Sequence, residues 1–183
     1  ISDRWHLRRE DLDAFALQSQ QRAARARDEG RFDAEIIPVA EKILDREHHR
    51  IVVTGATVRT DGGIRESTAE SLAALKPAFV ADGKVTAGNS SQITDGAAAL
   101  LIMSEERANA MGLRPRARFV NFALAGNDPR MMLTAPIPAT AKVLQRAQMT
   151  MDDIDITEIN EAFASVVLAW HHENPGVDMA TVN

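Results

Sequence analysis

Residues 154–170 read IDITEINEAFASVVLAW, and this stretch decides the fold class of the chain. Residues 154–158 alternate apolar and polar side chains, which is typical of a β-strand. Asn160 follows and opens a segment whose apolar side chains recur at helical spacing, namely Phe163, Val166, Val167 and Trp170. A strand that leads directly into a helix is the repeating unit of α/β domains.

The same order of elements extends on both sides of this stretch. Residues 97–103 form a continuous apolar run, as expected of a buried parallel strand, and residues 104–112 read as a capped helix. Residues 116–123 read as a second strand, followed by a helix over about residues 139–147. A further strand is predicted to begin at Val182. The second half is therefore predicted to be an α/β unit with a parallel sheet.

The first half is more irregular. Apolar and small side chains at helical spacing predict one amphipathic helix over residues 9–29, with Gly30 as its C-terminal cap. Short β-branched segments predict strands at residues 35–39 and 51–58. A capping box predicts a short helix over residues 67–76. Domain boundaries are predicted near residues 88–92 and, less strongly marked, at residues 112–116.

The composition excludes several classes of protein. Of 183 residues, 45% are hydrophobic and 26% charged, which is typical of a soluble globular protein. The net charge of -5 argues against nucleic-acid binding, and the longest apolar run is too short to span a membrane. There is no cysteine, which excludes disulfides and a cysteine nucleophile within the chain. No metal site is expected, because the five histidines include no pair spaced by four residues.

Two places are candidates for chemistry. The loop at residues 86–92 has small side chains and exposed amides, which suit either a plain turn or close approach of an extended ligand. Asn160 and Glu161 follow a predicted strand, at the edge where α/β sheets bind ligands. Asn160 is either a helix cap or an amide donor to a reacting oxygen, and Glu161 would orient a neighbour. Met132 is either a core residue or part of an adaptable acyl pocket. Arg65 is either a solvated surface residue or a partner for a phosphate group.

A series of motifs in a fixed order resembles the thiolase family, over about residues 8–183. The motifs lie at residues 19–23, 30–36, 75–79, 85–91, 95–99, 135–139 and 160–164. The resemblance implies an incomplete portion of the layered αβαβα thiolase fold. Residues 1–88 would be a loop-domain region with CoA-binding segments, residues 89–113 the last strand and helix of the N-terminal half, and residues 114–183 the first part of the C-terminal half.

The resemblance also implies a reaction, which is acyl transfer between CoA thioesters by Claisen condensation or by thiolytic cleavage of a 3-ketoacyl-CoA. Asn160 would hold the water of an oxyanion hole, and Glu161 would support the site. The residues implied to contact CoA or the acyl group are Ser91, Ala87, Ser71, Phe79, Arg65, Met132, Ala162 and Phe163. CoA thioesters would be substrates, with no other cofactor, in a cytoplasmic homodimer or homotetramer that acts in fatty acid metabolism by β-oxidation.

The chain departs from the family pattern in three respects. The family's cysteine nucleophile would lie before Ile1, and its Gly-His-Pro histidine and second cysteine would lie after Asn183. Leu133 and Ala135 replace common glycines, which is expected to reshape the acyl pocket. We therefore expect an internal segment that is inactive and prone to aggregate alone. The alternatives are a non-catalytic CoA- or lipid-binding protein of thiolase-like shape and a half-domain that serves only subunit packing.

Overall fold

The structure is a computed structural model that describes residues 1–183. Its regular elements are α1 (Arg9–Asp28), β1 (Val39–Asp45), β2 (Arg50–Val58), α2 (Ala69–Ala73), α3 (Glu105–Ala110), α4 (Pro136–Ala147) and α5 (Ala164–Glu173). Single 3-10 turns lie at Met132–Thr134, Met151–Asp153 and Met179–Thr181. None of the helices has the length and apolar character needed to cross a lipid bilayer.

The helices form close to their predicted positions. Gly30 follows α1 with a φ of +68°, and Gly112 follows α3 with a φ of +65°, a left-handed conformation that glycine adopts without strain. The Thr68 side chain accepts a hydrogen bond from the Ser71 amide at the start of α2, and Ser104 does the same for α3. Helix α2 is shorter than predicted, and α4 begins earlier, with proline in its first turn. Caps and helical hydrogen bonds are local, so the sequence signals suffice to place these elements.

One β-hairpin projects from the first half. Strands β1 and β2 pair antiparallel, from Val39 opposite Val58 to Asp45 opposite Arg50, with an irregularity near Ala40. The second predicted strand agrees with β2. The predicted strand at residues 35–39 is wrong, because β1 starts only at Val39.

The predicted parallel strands are not paired in the structure. Residues 97–103 and 116–123 have no ladder partner, and they expose large side chains such as Leu100 at 87% and Val120 at 66%. Of residues 154–158, only Thr157 pairs, in a single parallel bridge with Val182. These strand predictions are therefore wrong for the chain alone. The physical reason is that the backbone N–H and C=O groups of a strand bond to a neighbouring strand. Residues 97–103 and 116–123 have no neighbouring strand within this chain.

The buried core is small and lies between α1, α4 and α5. Ile159, Val167, Trp170 and Val182 form its centre, and Phe15 of α1 packs against it. Its largest member, Trp170, is 1% exposed and donates from Nε1 to the Thr140 hydroxyl at 2.9 Å. This core holds α1 and α5 together.

The chain exposes far more surface than a compact protein of its size. Its accessible surface is 14234 Å² at a mass of 20.0 kDa. Folded monomers of this mass expose about 8,700 Å² by the usual scaling with mass. Large apolar side chains in the unpaired segments at residues 97–103 and 116–123 and in the hairpin are exposed and contribute to this difference.

Candidate functional site

The two candidate places lie side by side. The Ser91 amide donates to the Ala162 carbonyl at 3.0 Å, and the Ala164 amide donates to the Asn89 carbonyl at 3.0 Å. Ser90 and Phe163 form the antiparallel bridge between these bonds. The loop at residues 86–92 therefore runs along the start of α5.

Helix α1 closes one side of this pairing. An open pocket of about 140 Å³ lies between α1, the loop and the segment before α5. The α1 residues that line it are Phe15, Ala16, Ser19 and Gln20, and Glu161 also lines it. The pocket is the point at which the three elements meet.

Asn160 lies directly after the short parallel pairing of Thr157 with Val182, at the carboxyl end of that pairing. Its side chain is exposed and has no hydrogen bond within the chain, so its amide N–H groups are free to donate. The interpretation of Asn160 as a helix cap is wrong, because α5 begins at Ala164 and its N-cap is Phe163. The amide-donor interpretation stays open.

Glu161 is held by α1. The Ser19 hydroxyl donates to Glu161 Oε2 at 2.7 Å, across a sequence separation of 142 residues. This bond orients the carboxylate towards α1, and the Asn160 side chain next to it stays unengaged. The two adjacent side chains are therefore in different environments, one fixed and one free.

The loop also lies against α2, and Gly88 permits this contact. A side chain at position 88 would approach Leu72 Cδ2 within 2.5 Å and Leu75 Cδ1 within 2.7 Å. Ser71 of α2 does not reach the loop, because its hydroxyl donates to the Thr68 carbonyl and accepts from the Thr68 amide. Its role in the structure is thus the helix cap.

Two aromatic rings extend the surface beyond the loop. Phe79 and Phe163 meet edge to face, with ring centroids 6.3 Å apart. Phe79 is 73% exposed, so most of its ring is open to a ligand or to another part of the protein.

Arg65 lies next to Ala87 of the loop. Its Nη2 donates to the Ala87 carbonyl at 3.4 Å, and its backbone amide donates to Gln20 Oε1 at 2.9 Å. The Gln92 side chain donates to the carbonyl of Gly63, two residues before Arg65. The guanidinium thus lies beside the loop, where it adds a positive charge.

Met132 lies apart from the other candidates. It begins the 3-10 turn at Met132–Thr134, which packs against α5, and its own side chain is 64% exposed. The structure therefore unites most of the candidate residues and leaves Met132 and Ser71 outside the contacts that join the rest.

One carboxyl with a lowered pKa, that of Asp3, pairs with Lys84 just before the loop. A hydrogen bond from Lys84 Nζ to Asp3, 2.8 Å long, lowers the pKa of the Asp3 carboxyl, and the charge of Lys84 lowers it further. Lys84 precedes the loop by two residues, so this ion pair anchors the chain's first residues to it.

Sequence reasoning missed Asp13, a buried carboxylate on α1 that bonds to Asn89. It also missed that Ser19 contacts Glu161. One signal for Asp13 was available, since Arg9 lies four residues before it, at the spacing of an ion pair within a helix. The Ser19 contact spans the chain and had no local signal.

Comparison with known proteins gives the same family for both halves of the chain. The family model described as "Thiolase, N-terminal domain" matches residues 1–106, and "Thiolase, C-terminal domain" matches residues 113–183. A 3-ketoacyl-CoA thiolase of Bacillus subtilis is 42% identical over 185 residues, which is 100% of this chain and 47% of that protein. The 3-oxoadipyl-CoA/3-oxo-5,6-dehydrosuberyl-CoA thiolase of Escherichia coli is 47% identical, over 92% of this chain and 40% of its own length.

Solved structures agree with the sequence relatives. The Bacillus anthracis acetyl-CoA acetyltransferase superposes with a TM-score of 0.87 at 42% identity, over 100% of this chain and 44% of that one. Human mitochondrial 3-ketoacyl-CoA thiolase in complex with CoA gives a TM-score of 0.87 at 36% identity, covering 99% and 43%. The chain thus spans a little less than half the length of these relatives. Its path confirms the predicted incomplete thiolase-like α/β fold, although the strands are unpaired, and the chain belongs to the thiolase family.

Proposed function

We propose that the complete protein containing these residues, below called the full-length protein, is a thiolase-type acyltransferase. It would join two acyl-CoA molecules by Claisen condensation or cleave a 3-ketoacyl-CoA with free CoA. The observation that carries this proposal is the pairing of the Ser90–Ser91 loop with Ala162–Ala164, in a chain of this family. The pairing supports the proposal, because it brings Ser91, one of the residues proposed to bind CoA, against Ala162, the residue after Glu161.

In this proposal Asn160 supplies a hydrogen-bond donor to the water that stabilises the thioester oxygen as negative charge develops there. Support comes from its exposed side chain, which has no competing partner within the chain. Glu161 supports the site and is kept in place by Ser19. The 183 residues contain no cysteine, so the nucleophile of such a reaction would come from elsewhere in the full-length protein.

Coenzyme A is the proposed ligand of the loop. Ser91 and Ala87 are exposed there and would contact the pantetheine arm. Phe79, Ser71 and Arg65 would lie near the nucleotide, since Arg65 offers a guanidinium to phosphate. Ala162, Phe163 and Met132 would line the acyl pocket. The CoA complex of the human mitochondrial relative supports CoA as the ligand.

The setting of the reaction is also a proposal. We propose CoA thioesters as the substrates with no further cofactor, a homodimer or homotetramer as the assembly, and β-oxidation in the cytoplasm as the context. The relatives' names, among them 3-ketoacyl-CoA thiolase and acetyl-CoA acetyltransferase, support the reaction type. Size-exclusion chromatography with light scattering tests the assembly, and cell fractionation tests the compartment.

The decisive experiment is acetoacetyl-CoA thiolysis by the full-length protein and its Asn160→Ala variant. Loss of an oxyanion-hole donor lowers kcat by about 100-fold to 1,000-fold, so we expect a loss in that range. Asn109→Ala is the matched control, because Asn109 is an exposed asparagine of α3. It should retain wild-type activity.

Three outcomes would contradict the proposal. The first is an Asn160→Ala variant that keeps the activity of Asn109→Ala. The second is turnover by the isolated 183 residues, which have no cysteine nucleophile. The third is a wild-type full-length protein that binds CoA without turnover, which would favour the non-catalytic CoA-binding alternative.

A further inference from the structure

A buried carboxylate on α1 lies outside the residues used above. Asp13 is 7% exposed, and its Oδ2 lies 2.6 Å from Nε of Arg9, one turn earlier on the same helix. A carboxylate that is removed from water is costly unless it is paired and hydrogen-bonded. Arg9 supplies the charge, and it also donates from Nη2 to the carbonyls of Leu72 and Leu75 at the end of α2.

The second oxygen of Asp13 contacts the loop. Asn89 is 3% exposed and donates from Nδ2 to Asp13 Oδ1 at 2.8 Å. The same Nδ2 donates to the Lys84 carbonyl at 3.0 Å, and Asn89 Oδ1 accepts from the Thr86 amide at 2.9 Å. A single side chain thus joins α1 to both the start and the middle of the loop.

Some residues of the loop are buried and others are exposed. Thr86 and Asn89 face the interior at 0% and 3% exposure, whereas Ala87 and Ser91 are exposed. The backbone carbonyl of Asn89 also accepts from the first amide of α5. A contact that holds the Asn89 side chain in place therefore also holds Ala87 and Ser91 in their exposed positions.

We propose that Asp13 is a positioning residue that acts through Asn89 to hold the Ala87–Ser91 loop in its ligand-binding conformation. This inference rests on the proposed function, since the ligand of the loop is CoA. Asp13 itself lies beneath the loop and would not touch the substrate. Asparagine, the neutral side chain of the same size, cannot replace Asp13. Its single amide oxygen can accept from Arg9 or from Asn89, and its NH₂ group then faces the other of these two donors.

The test compares Asp13→Asn with Asp11→Asn in the full-length protein. Asp11 is the matched control, because it is also an α1 aspartate that pairs with an arginine, Arg8 at the helix N-cap, at 2.8 Å but on the exposed side. We expect Asp13→Asn to raise the KM and the Kd for CoA about tenfold, the effect of losing one charge-assisted hydrogen bond. Its kcat should stay within about twofold of wild type, because the reacting groups are unchanged. Asp11→Asn should match the wild type in both constants.

A purely structural role would give a different pattern. It would lower the melting temperature and the amount of active enzyme while leaving the KM for CoA unchanged, and that result would overturn the proposal. Hydrogen exchange gives a second measurement, which needs no turnover. Amides at residues 86–92 should exchange faster in Asp13→Asn, whereas amides of α4 should not change.

A conservative variant keeps the proposal testable if Asp13→Asn folds poorly. Asp13→Glu keeps a carboxylate that can accept from both Arg9 and Asn89, and we expect it to retain most of the wild-type CoA affinity. A folded Asp13→Glu variant that loses as much CoA affinity as expected for Asp13→Asn, about tenfold, would contradict the proposal. If the wild-type protein bound no CoA, both the proposed function and this inference would fail. If the wild type bound CoA and Asp13→Asn matched Asp11→Asn, only the inference would fail.

Discussion

At the scale of single residues, the site depends on small side chains that admit close contacts. Gly88 is the clearest case, because Leu72 of α2 and Leu75, which follows that helix, occupy the space a side chain would need. Leu72 is 4% exposed and cannot move aside freely. The glycine is required here by packing against α2, and no left-handed backbone conformation is involved.

Substitution of Gly88 by alanine should therefore destabilise the full-length protein. Added carbon atoms in a packed contact typically cost about 1–3 kcal/mol, and we expect a loss of unfolding free energy in that range. Chemical denaturation measures it. Gly126→Ala is the control, since no atom lies within 4 Å of the added carbon there. Equal stability of the two variants would show that the loop does not lie tightly on α2.

At the scale of elements, helices and strands behaved differently. Helices α1, α3 and α4 formed near their predicted places, because caps and local hydrogen bonds determine them. The hairpin formed because its two strands are neighbours in the sequence. The parallel strands did not pair, because their partners must come from distant parts of a sheet.

The hairpin turn carries a pH-dependent contact. The His48 amide donates to the Asp45 carboxylate at 3.2 Å, and this bond lowers the pKa of Asp45, with further lowering by the side chains of His48 and Arg50 and by the Glu47 amide. A carboxyl whose pKa is lower in the folded state stabilises that state above its unfolded pKa of about 3.9. The stabilisation is lost as the pH falls through the lower folded value.

We therefore expect amide protection in the hairpin to decrease as the pH falls below about pH 4. Hydrogen exchange, corrected for intrinsic rates, measures this protection. In Asp45→Asn the protection should be lower throughout and should lose this acid dependence, because the side chain no longer ionises. An unchanged acid dependence in that variant would assign the effect to other groups.

At the scale of the whole molecule, the exposed surface is the dominant property. Leu100, Leu101 and Ile102 are each at least 66% exposed, and Phe119 and Phe122 are at least 60% exposed. Contiguous apolar surface of this kind and unpaired strand segments promote association. The fold has a core between α1, α4 and α5. The segments at residues 97–103 and 116–123, predicted as strands of a parallel sheet, are neither covered nor paired.

The isolated 183 residues should therefore aggregate or remain partly disordered. We expect strong binding of an apolar dye, early elution on size-exclusion chromatography and a broad thermal transition. Substitution of Leu101 by lysine should reduce the aggregation, whereas the same change at Ala141, on the exposed side of α4, should have little effect. A monomeric chain with a sharp cooperative melt would contradict this prediction.

For the candidate site, as for the fold, some features could be predicted from the sequence and others could not. The sequence pointed to the loop at residues 86–92 and to Asn160 with Glu161, because small residues, amides and family motifs are visible locally. It did not show that Ser91 bonds to Ala162, that Ser19 holds Glu161, or that Asp13 holds Asn89. These contacts join residues 71, 142 and 76 positions apart, and no local pattern encodes such a distance.

The family, the helices and the candidate binding residues could all be predicted from the sequence alone. Only the folded structure shows that the loop pairs with the start of α5, that Asn160 is free and caps no helix, and that residues 97–103 and 116–123, predicted as parallel strands, stay unpaired. The reason is physical. A helix closes its hydrogen bonds within a few residues, whereas a strand or a site depends on which distant segments reach it.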